Sequence, residues 1–299
     1  MPIINNEEAN TAWQRKNESA INILRVLITN QVRSIEIKKE STIVHLIDGR
    51  KFYWEENLYY SLATLLTDGE WEPEDTNILK NLISKDNTVL DIGANFGWYT
   101  SIFSKLVGTH GQVHSFEPFL GTFYELMANT SLNELSNIRL NNLAVSDFNG
   151  ISTLYYPTGS GSMLSSLQKI PDVTEEFIPF ECTVTTLDEY VKSQEIKQVD
   201  FIKIDAEGAE LPILRGATSI LDQRNKPTLL IECVEKFANS FGYQLKDVHE
   251  FLENYDYQFF VWHINTYIEV NSFDHLPTYN VFCIHTSNTS VTNFLATEN

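Results

Sequence analysis

Residues 89–100 read VLDIGANFGWYT: a short apolar run through Asp91, then Gly93, Asn95 and Gly97 before a new apolar stretch. That is the pattern of a buried strand turning tightly into a helix. In an open α/β sheet, ligands bind just beyond the carboxyl ends of the strands. Glycines in that turn let a cofactor approach the backbone and let the next helix pack closely. The helix start also offers N–H groups without intrahelical partners. Asp91 adds a carboxylate suited to a ligand carrying an amino or sulfonium cation. A second carboxylate follows in VHSFEP, where Glu117 closes the next predicted strand and can accept both ribose hydroxyls of an adenosine. A nicotinamide-dependent oxidoreductase is the rival, because it also places an acid there. Its G-x-G-x-x-G fingerprint fails here at the second and third glycines.

Two later stretches offer groups for the chemistry itself. KIDAEG contributes Lys203, Asp205 and Glu207, and LLIECVE contributes Glu232 and Glu235, each at a predicted strand end. Alternation along a strand puts Lys203 and Asp205 on one face. Asp205 and Glu232, on adjacent strand ends, are placed to act as a general base or as ligands for a divalent cation such as Mg²⁺. Two oxygen ligands are a thin set for an ion that prefers six. Each group also has a plainer role. Lys203 neutralises neighbouring carboxylates, and Glu207 caps a helix beginning near Gly208. His45 and His114 sit in strand patterns and read as packing or surface residues. His263, near the end of a late strand, is a further base candidate, and Trp98 and Tyr99 read as packing.

The elements that must position these groups follow from periodicity. Ile21, Leu24, Leu27 and Ile28 recur at helical spacing, predicting a helix over 7–30. RSIEIKKESTIVHLIDGRKFYW alternates apolar and polar residues around turns at Glu40-Ser41 and Asp48-Gly49, an antiparallel meander. A helix is predicted over 74–84. Strands are then predicted at 88–92, 112–117, 138–143, 199–204, 228–233, 257–263 and 280–285, with helices at 97–107, 120–133, 208–222 and 245–254. Continuous apolar strands such as VDFIKI and TLLIEC indicate burial on both faces, as in a parallel sheet. A hairpin-like pair, GISTLYYP and FECTVTTL, interrupts the alternation. The polar loop over 158–176 connects its two arms, and a loop of that length is usually functional or disordered.

Taken together, VLDIGANFGWYT, VHSFEP, NLAVSD and VDFIKIDAEGAELPILRGA resemble the FkbM-type S-adenosylmethionine-dependent methyltransferases, over about Gly69 to Glu235. The most specific elements are DIGANFG and residues 203–217, KIDAEGAELPILRGA. The resemblance implies a class I (Rossmann-like) α/β fold, with a seven-stranded, mostly parallel sheet and helices on both faces. It implies S-adenosyl-L-methionine as cofactor. Asp91, Gly93, Ala94, Asn95 and Gly97 would surround its methionine part, with Thr100 and Asp205 completing the cofactor set. Glu117 would hold the ribose, Pro118 and Phe119 would border the adenine, and Ala144, Val145, Ser146 and Asp147 would lie near the adenine edge. Residues 69–299 would form the methyltransferase domain, with 1–68 a helix-plus-meander cap. The implied reaction is methyl transfer to a hydroxyl of a sugar or natural product. N-methylation of a peptide amide comes next, and a non-catalytic cofactor-binding or scaffold protein is a rival of another class.

The bulk properties agree with an acceptor that is a small molecule, saccharide or peptide. A formal net charge of −19 over 299 residues disfavours duplex nucleic acid, which is bound largely through Lys and Arg. Cys182, Cys233 and Cys283 are far apart and show no C-x-x-C spacing, so buried free thiols are expected. The opening MPIINNEEANTAWQRKNESA is too polar for a secretory leader. No run approaches the roughly 18 apolar residues of a membrane span. A cytoplasmic protein is expected, and the N-x-S/T matches at Asn17, Asn129 and Asn288 read as accidental.

Overall fold

The computed structural model describes residues 32–54, 72–158, 164–170, 175–289, 291, 292 and 295. The helix predicted over 7–30 lies outside these residues, as do 159–163 and 171–174 of the long loop. The chain divides into two compact units, Met1–Pro73 and Glu74–Asn299.

In the first unit, β1 (Val32–Ile37), β2 (Thr42–Leu46) and β3 (Lys51–Tyr53) form the antiparallel meander. Val44, Leu46 and Phe52 are buried in it, and the second turn closes where the Leu46 amide donates to the Arg50 carbonyl at 2.8 Å.

The second unit runs α1 (Pro73–Leu82), β4 (Thr88–Ile92), α2 (Trp98–Val107), β5 (Gln112–Phe116), α3 (Leu120–Leu132) and β6 (Ile138–Asn141). The inserted segment contributes β7 (Ala144–Val145), β8 (Gly150–Pro157) and β9 (Phe177–Thr185), and α4 (Leu187–Ser193) follows. The second half is β10 (Phe201–Ile204), α5 (Glu210–Arg215), α6 (Thr218–Leu221), β11 (Thr228–Glu232), α7 (Glu235–Ser240), α8 (Leu245–Glu253), β12 (Tyr257–His263), β13 (Thr266–Val270) and β14 (Asn280–His285).

The main sheet has the order β13-β12-β14-β11-β10-β4-β5-β6. All seven predicted strands are in it, within two residues of their predicted bounds. The sheet is nevertheless eight-stranded rather than seven-stranded, because β13 folds back on β12 at the edge. The turn between them has left-handed backbone at both Ile264 (φ 45) and Asn265 (φ 68), as a two-residue hairpin requires. No glycine marks it in the sequence. The helix predicted over 208–222 is two helices. Gly216 ends α5, and the Asp188 carboxylate reaches across to accept the amides of Ser219 and Ile220 at the start of α6. Helix α4 has its signal in Thr186, whose hydroxyl accepts the Glu189 amide at 3.2 Å.

Strands β4, β5, β6, β10 and β11 are mutually parallel, so their carboxyl ends share one edge. From β4 the chain runs outward to β5 and β6, then returns to the other side of β4 as β10. Binding crevices open at such reversals. Alternation assigns the two faces. Leu90, Ile92, Ile202, Ile204, Leu229 and Ile231 belong to one large core that includes α5, α6 and α8. On the opposite face Phe201 meets Phe103 of α2, with ring centroids 5.6 Å apart. Asp91 and Lys203, in register on β4 and β10, have the parity of that second face. Both faces being covered explains why these strands read as continuous apolar runs. A second sheet, β7-β9-β8, closes a small core of Ala144, Leu154, Leu167, Cys182 and Val184, against which Phe119 packs. All three cysteines are buried and free. Among the described residues no helix is long and apolar enough to cross a membrane.

Candidate active site

The turn after β4 is built around its neighbours as much as around a ligand. Gly93 has φ 75, and a Cβ there would fall 1.7 Å from the Asp205 carbonyl oxygen. Its immediate role is thus to let the ends of β4 and β10 meet, a constraint added to the cofactor approach expected from the sequence. Gly97 (φ 98) begins α2, and a Cβ there would press on Leu126 of α3 at 2.8 Å. Asn95 also takes a left-handed backbone (φ 49), which asparagine tolerates. The amides of Gly93 and Ala94 both donate to the Phe116 carbonyl, at 3.0 and 2.9 Å, tying the turn to the end of β5.

Asp91 is fully buried. Its Oδ2 accepts the Thr100 hydroxyl at 2.5 Å, and that hydroxyl is 2.9 Å from Ser115 Oγ. Its Oδ1 has no hydrogen-bond partner among the described residues. Burial raises the Asp91 carboxyl above its ordinary range, with Lys203 opposing. Glu117 is 6% exposed. Its two oxygens accept the Asn95 amide at 3.1 Å and the Phe119 amide at 3.0 Å. Burial nevertheless raises its pKa to about 7. Beside it, Asn142 donates to the Glu117 and Pro118 carbonyls at 2.9 and 3.0 Å. The Phe119 ring stacks on Tyr156 with centroids 4.3 Å apart. Ala144 and Val145 are β7 itself, paired with β9. Ser146 is buried and Asp147 is exposed.

At the ends of β10 and β11 the structure gathers Lys203, Asp205, Glu207 and Glu232. Lys203 Nζ donates to Asp205 Oδ2 at 2.8 Å and lies 4.7 Å above the Tyr99 ring. One carboxylate oxygen each from Asp205, Glu207 and Glu232 lie within 4.8 Å of one another. Burial, and then repulsion from Asp205, push Glu207 and Glu232 well above the usual carboxylate range.

Glu207 does not cap a helix. No side chain caps α5; Glu210, its first residue, instead turns its Oε1 back to accept the Ala206 and Gly208 amides at 3.3 and 3.0 Å, in the turn ahead of the helix. Tyr243 Oη lies 2.9 Å from the Gly208 carbonyl and 3.0 Å from Glu210 Oε2. This brace holds a turn in which Glu207 (φ 51) and Gly208 (φ 102) are both left-handed. Burial raises Glu210 to about 6. The long loop also reaches the turn, where the Ser166 hydroxyl donates to the Glu207 carbonyl at 2.7 Å. Glu210 stands inside the KIDAEGAE stretch, and its place in the first turn of a helix was the available signal. Nothing local marks Ser166 or Tyr243.

Other candidates fall elsewhere. Glu235 accepts the Leu245 amide at 3.0 Å, joining the start of α7 to that of α8. His263 is exposed at the end of β12, which β14 separates from β11. His114 Nδ1 is 2.8 Å from the Tyr190 hydroxyl, and burial lowers its pKa to about 4. His45 lies 3.4 Å from Glu36 in the meander.

The profile of the methyltransferase FkbM domain family matches residues 91–259, more than half of the chain. The chain belongs to that family. It is 27% identical over 146 residues to "Methyltransferase 1" of Beauveria bassiana (strain ARSEF 2860), an alignment covering 44% of this chain and 58% of that relative. This chain thus spans little more than half the relative's length. A solved structure of methyltransferase FkbM from Methylobacillus flagellatus KT is similar at 18% identity and a TM-score of 0.42, covering 77% of this chain and 56% of that one. An O-methyltransferase from Bacillus cereus in complex with SAH is similar at 13% identity and a TM-score of 0.44, covering 78% and 92%.

Proposed function

We propose that this FkbM-family protein transfers a methyl group from S-adenosyl-L-methionine to an acceptor hydroxyl, with a sugar or natural product as the acceptor class. The observation that carries the reading is a pair of buried carboxylates at successive strand ends, Asp91 and Glu117, beside the glycine turn. The orphaned Asp91 Oδ1 fits a ligand's ammonium group. The Glu117 carboxylate uses one lone pair of each oxygen on a backbone amide, which leaves capacity for two ribose hydroxyls. Phe119, stacked on Tyr156, offers an aromatic border for a purine. The bound cofactor supplies an electrophilic methyl on a sulfonium centre.

The chain's own contribution is alignment and charge. In-line displacement gains most from holding the reactants in register, and the turns after β4 and β10 are pinned to each other at Gly93 and Asp205. A hydroxyl acceptor must also shed its proton. A carboxylate among Asp205, Glu207 and Glu232 in hydrogen-bond reach of that hydroxyl takes the proton as general base, with Lys203 held on Asp205.

Calorimetry with S-adenosylhomocysteine and with NAD is the first test, followed by radiolabelled methyl transfer to sugars, natural-product alcohols and peptide amides. S-adenosylhomocysteine binding with no NAD binding is expected, with label on oxygen. NAD binding alone would overturn the cofactor assignment, and label on amide nitrogen would overturn the acceptor class.

A further inference from the structure

We infer that Asp205, Glu207 and Glu232 form a binding site for a hard divalent cation of the Mg²⁺, Mn²⁺ or Ca²⁺ class. The convergence of their oxygens is one observation. A second points to a ligand independently: Oε2 of Glu207 and Oε2 of Glu232 are both sealed from solvent and have no hydrogen-bond partner among the described residues. Carboxylate oxygens in that condition are costly unless a positive charge or a donor meets them.

Lys203, and for Glu207 also Lys236, offset part of the charge on this cluster, but among the described residues no hydrogen bond reaches the two Oε2 atoms. Lys203 is on Asp205 Oδ2, Ser166 is on the Glu207 carbonyl oxygen, and the Ala206 and Gly208 amides are on Glu210. Three carboxylates and no sulfur or imidazole make a set for a hard cation. Oxygens on opposite sides of an ion are about 4.2 Å apart for Mg²⁺ and about 4.8 Å for Ca²⁺, given bond lengths of roughly 2.1 and 2.4 Å. The three carboxylate oxygens all lie within 4.8 Å of one another, so a single ion between them can reach all three. The remaining coordination positions would be filled by water or by an acceptor oxygen.

The site stands on geometry; its role rests on the methyl-transfer reading. There the cation would favour the ionised form of the acceptor hydroxyl, whose proton passes to solvent. A proton shared between Glu207 and Glu232 is the competing way to relieve the same pair.

The experiment uses the metal-free full chain, titrated separately with Mg²⁺, Mn²⁺ and Ca²⁺ by calorimetry and with Mn²⁺ by electron paramagnetic resonance. One saturable site per chain is expected. Glu207→Gln and Glu232→Gln should each weaken it roughly tenfold or more, in protein that keeps its circular dichroism. No saturable binding of any of the three ions at millimolar concentration overturns the inference, as does binding unchanged in both variants. S-adenosylhomocysteine binding, measured on the same samples, tests the cofactor reading separately: its absence would sink that reading while the metal isotherms still decide the cation site.

Discussion

Glu117 offers the sharpest test of the cofactor pocket, because its environment makes binding depend on pH. Burial is the main cause that raises this carboxyl from 4.5 to about 7, against the opposing amides of Phe119 and Asn95. Ribose hydroxyls donate to an ionised carboxylate, so binding selects the charged form. With a pKa near 7, about a tenth of the empty protein carries that charge at about pH 6 and about nine-tenths at about pH 8. The dissociation constant for S-adenosylhomocysteine should therefore be roughly tenfold weaker at the lower pH, with close to one proton released on binding there. Calorimetry in two buffers of different ionisation enthalpy measures both quantities. Glu117→Gln is neutral throughout, so its pH slope should vanish. Its affinity near pH 8 should fall about tenfold or more, since hydrogen bonds to a charged group contribute ~1.5–3 kcal/mol. The sign for stability is opposite. The unfolded chain ionises first, so this group's contribution to the ligand-free fold is present below about pH 4.5 and is lost as pH rises through about 7. The full loss is roughly 3 kcal/mol, read as a falling denaturation midpoint. A wild-type affinity constant within about twofold over the whole range, equalled by Glu117→Gln, would refute the ribose role.

Further outcomes are expected at neighbouring residues. Gly93→Ala meets the Asp205 carbonyl and a positive φ at once. It should cost more than about 1 kcal/mol of stability in urea denaturation, and an undiminished midpoint would show that the β4 and β10 ends can part. Asp205→Asn and Glu232→Gln should lower turnover far more than S-adenosylhomocysteine affinity. Turnover within about twofold of wild type, less than ~0.5 kcal/mol of barrier, would remove both from the reaction. Ser166→Ala releases the Glu207 carbonyl and should reduce kcat/KM for the acceptor with cofactor affinity intact; a collapse of cofactor affinity in folded protein would place the loop on the other side of the pocket. Tyr243→Phe removes the hydroxyl that meets Gly208 and Glu210 and should destabilise the protein by about 1 kcal/mol, with an unchanged denaturation midpoint as the contrary result.

Much of the architecture was legible because the rules that write it are local. A strand buried on both faces reads as a nearly continuous apolar run, so VDFIKI and TLLIEC, the sources of β10 and β11, could be recognised from their composition. The carboxylate that matters tends to stand near the strand's end, where chain and solvent meet, and Asp91, Glu117, Asp205 and Glu232 could be named from that position. Where the local signal was atypical the reading failed. The β12–β13 turn uses Ile264 and Asn265 instead of glycine, and α5 and α6 run together in the pattern until Asp188 caps the second.

Sequence by itself determined seven of the eight main-sheet strands and the longer helices between them, the glycine turn, the paired acids at β4 and β5, and the motif that carries family membership. Tertiary structure decided which groups meet. Gly93 faces the backbone of Asp205 across 112 positions of chain, the span that also separates Thr88 from its partner Asp200. Ser166 finds the Glu207 carbonyl 41 residues away, and Tyr243 finds Glu210 across 33. Spacing cannot predict such pairs, because they depend on β10 returning beside β4 instead of extending the outer edge of the sheet. The different surroundings of Glu207 and Glu210 have the same origin. Glu207 precedes α5 and Glu210 opens it, and the left-handed turn at Glu207 and Gly208 leaves Glu210 on the amides and Glu207 beside Asp205 and Glu232.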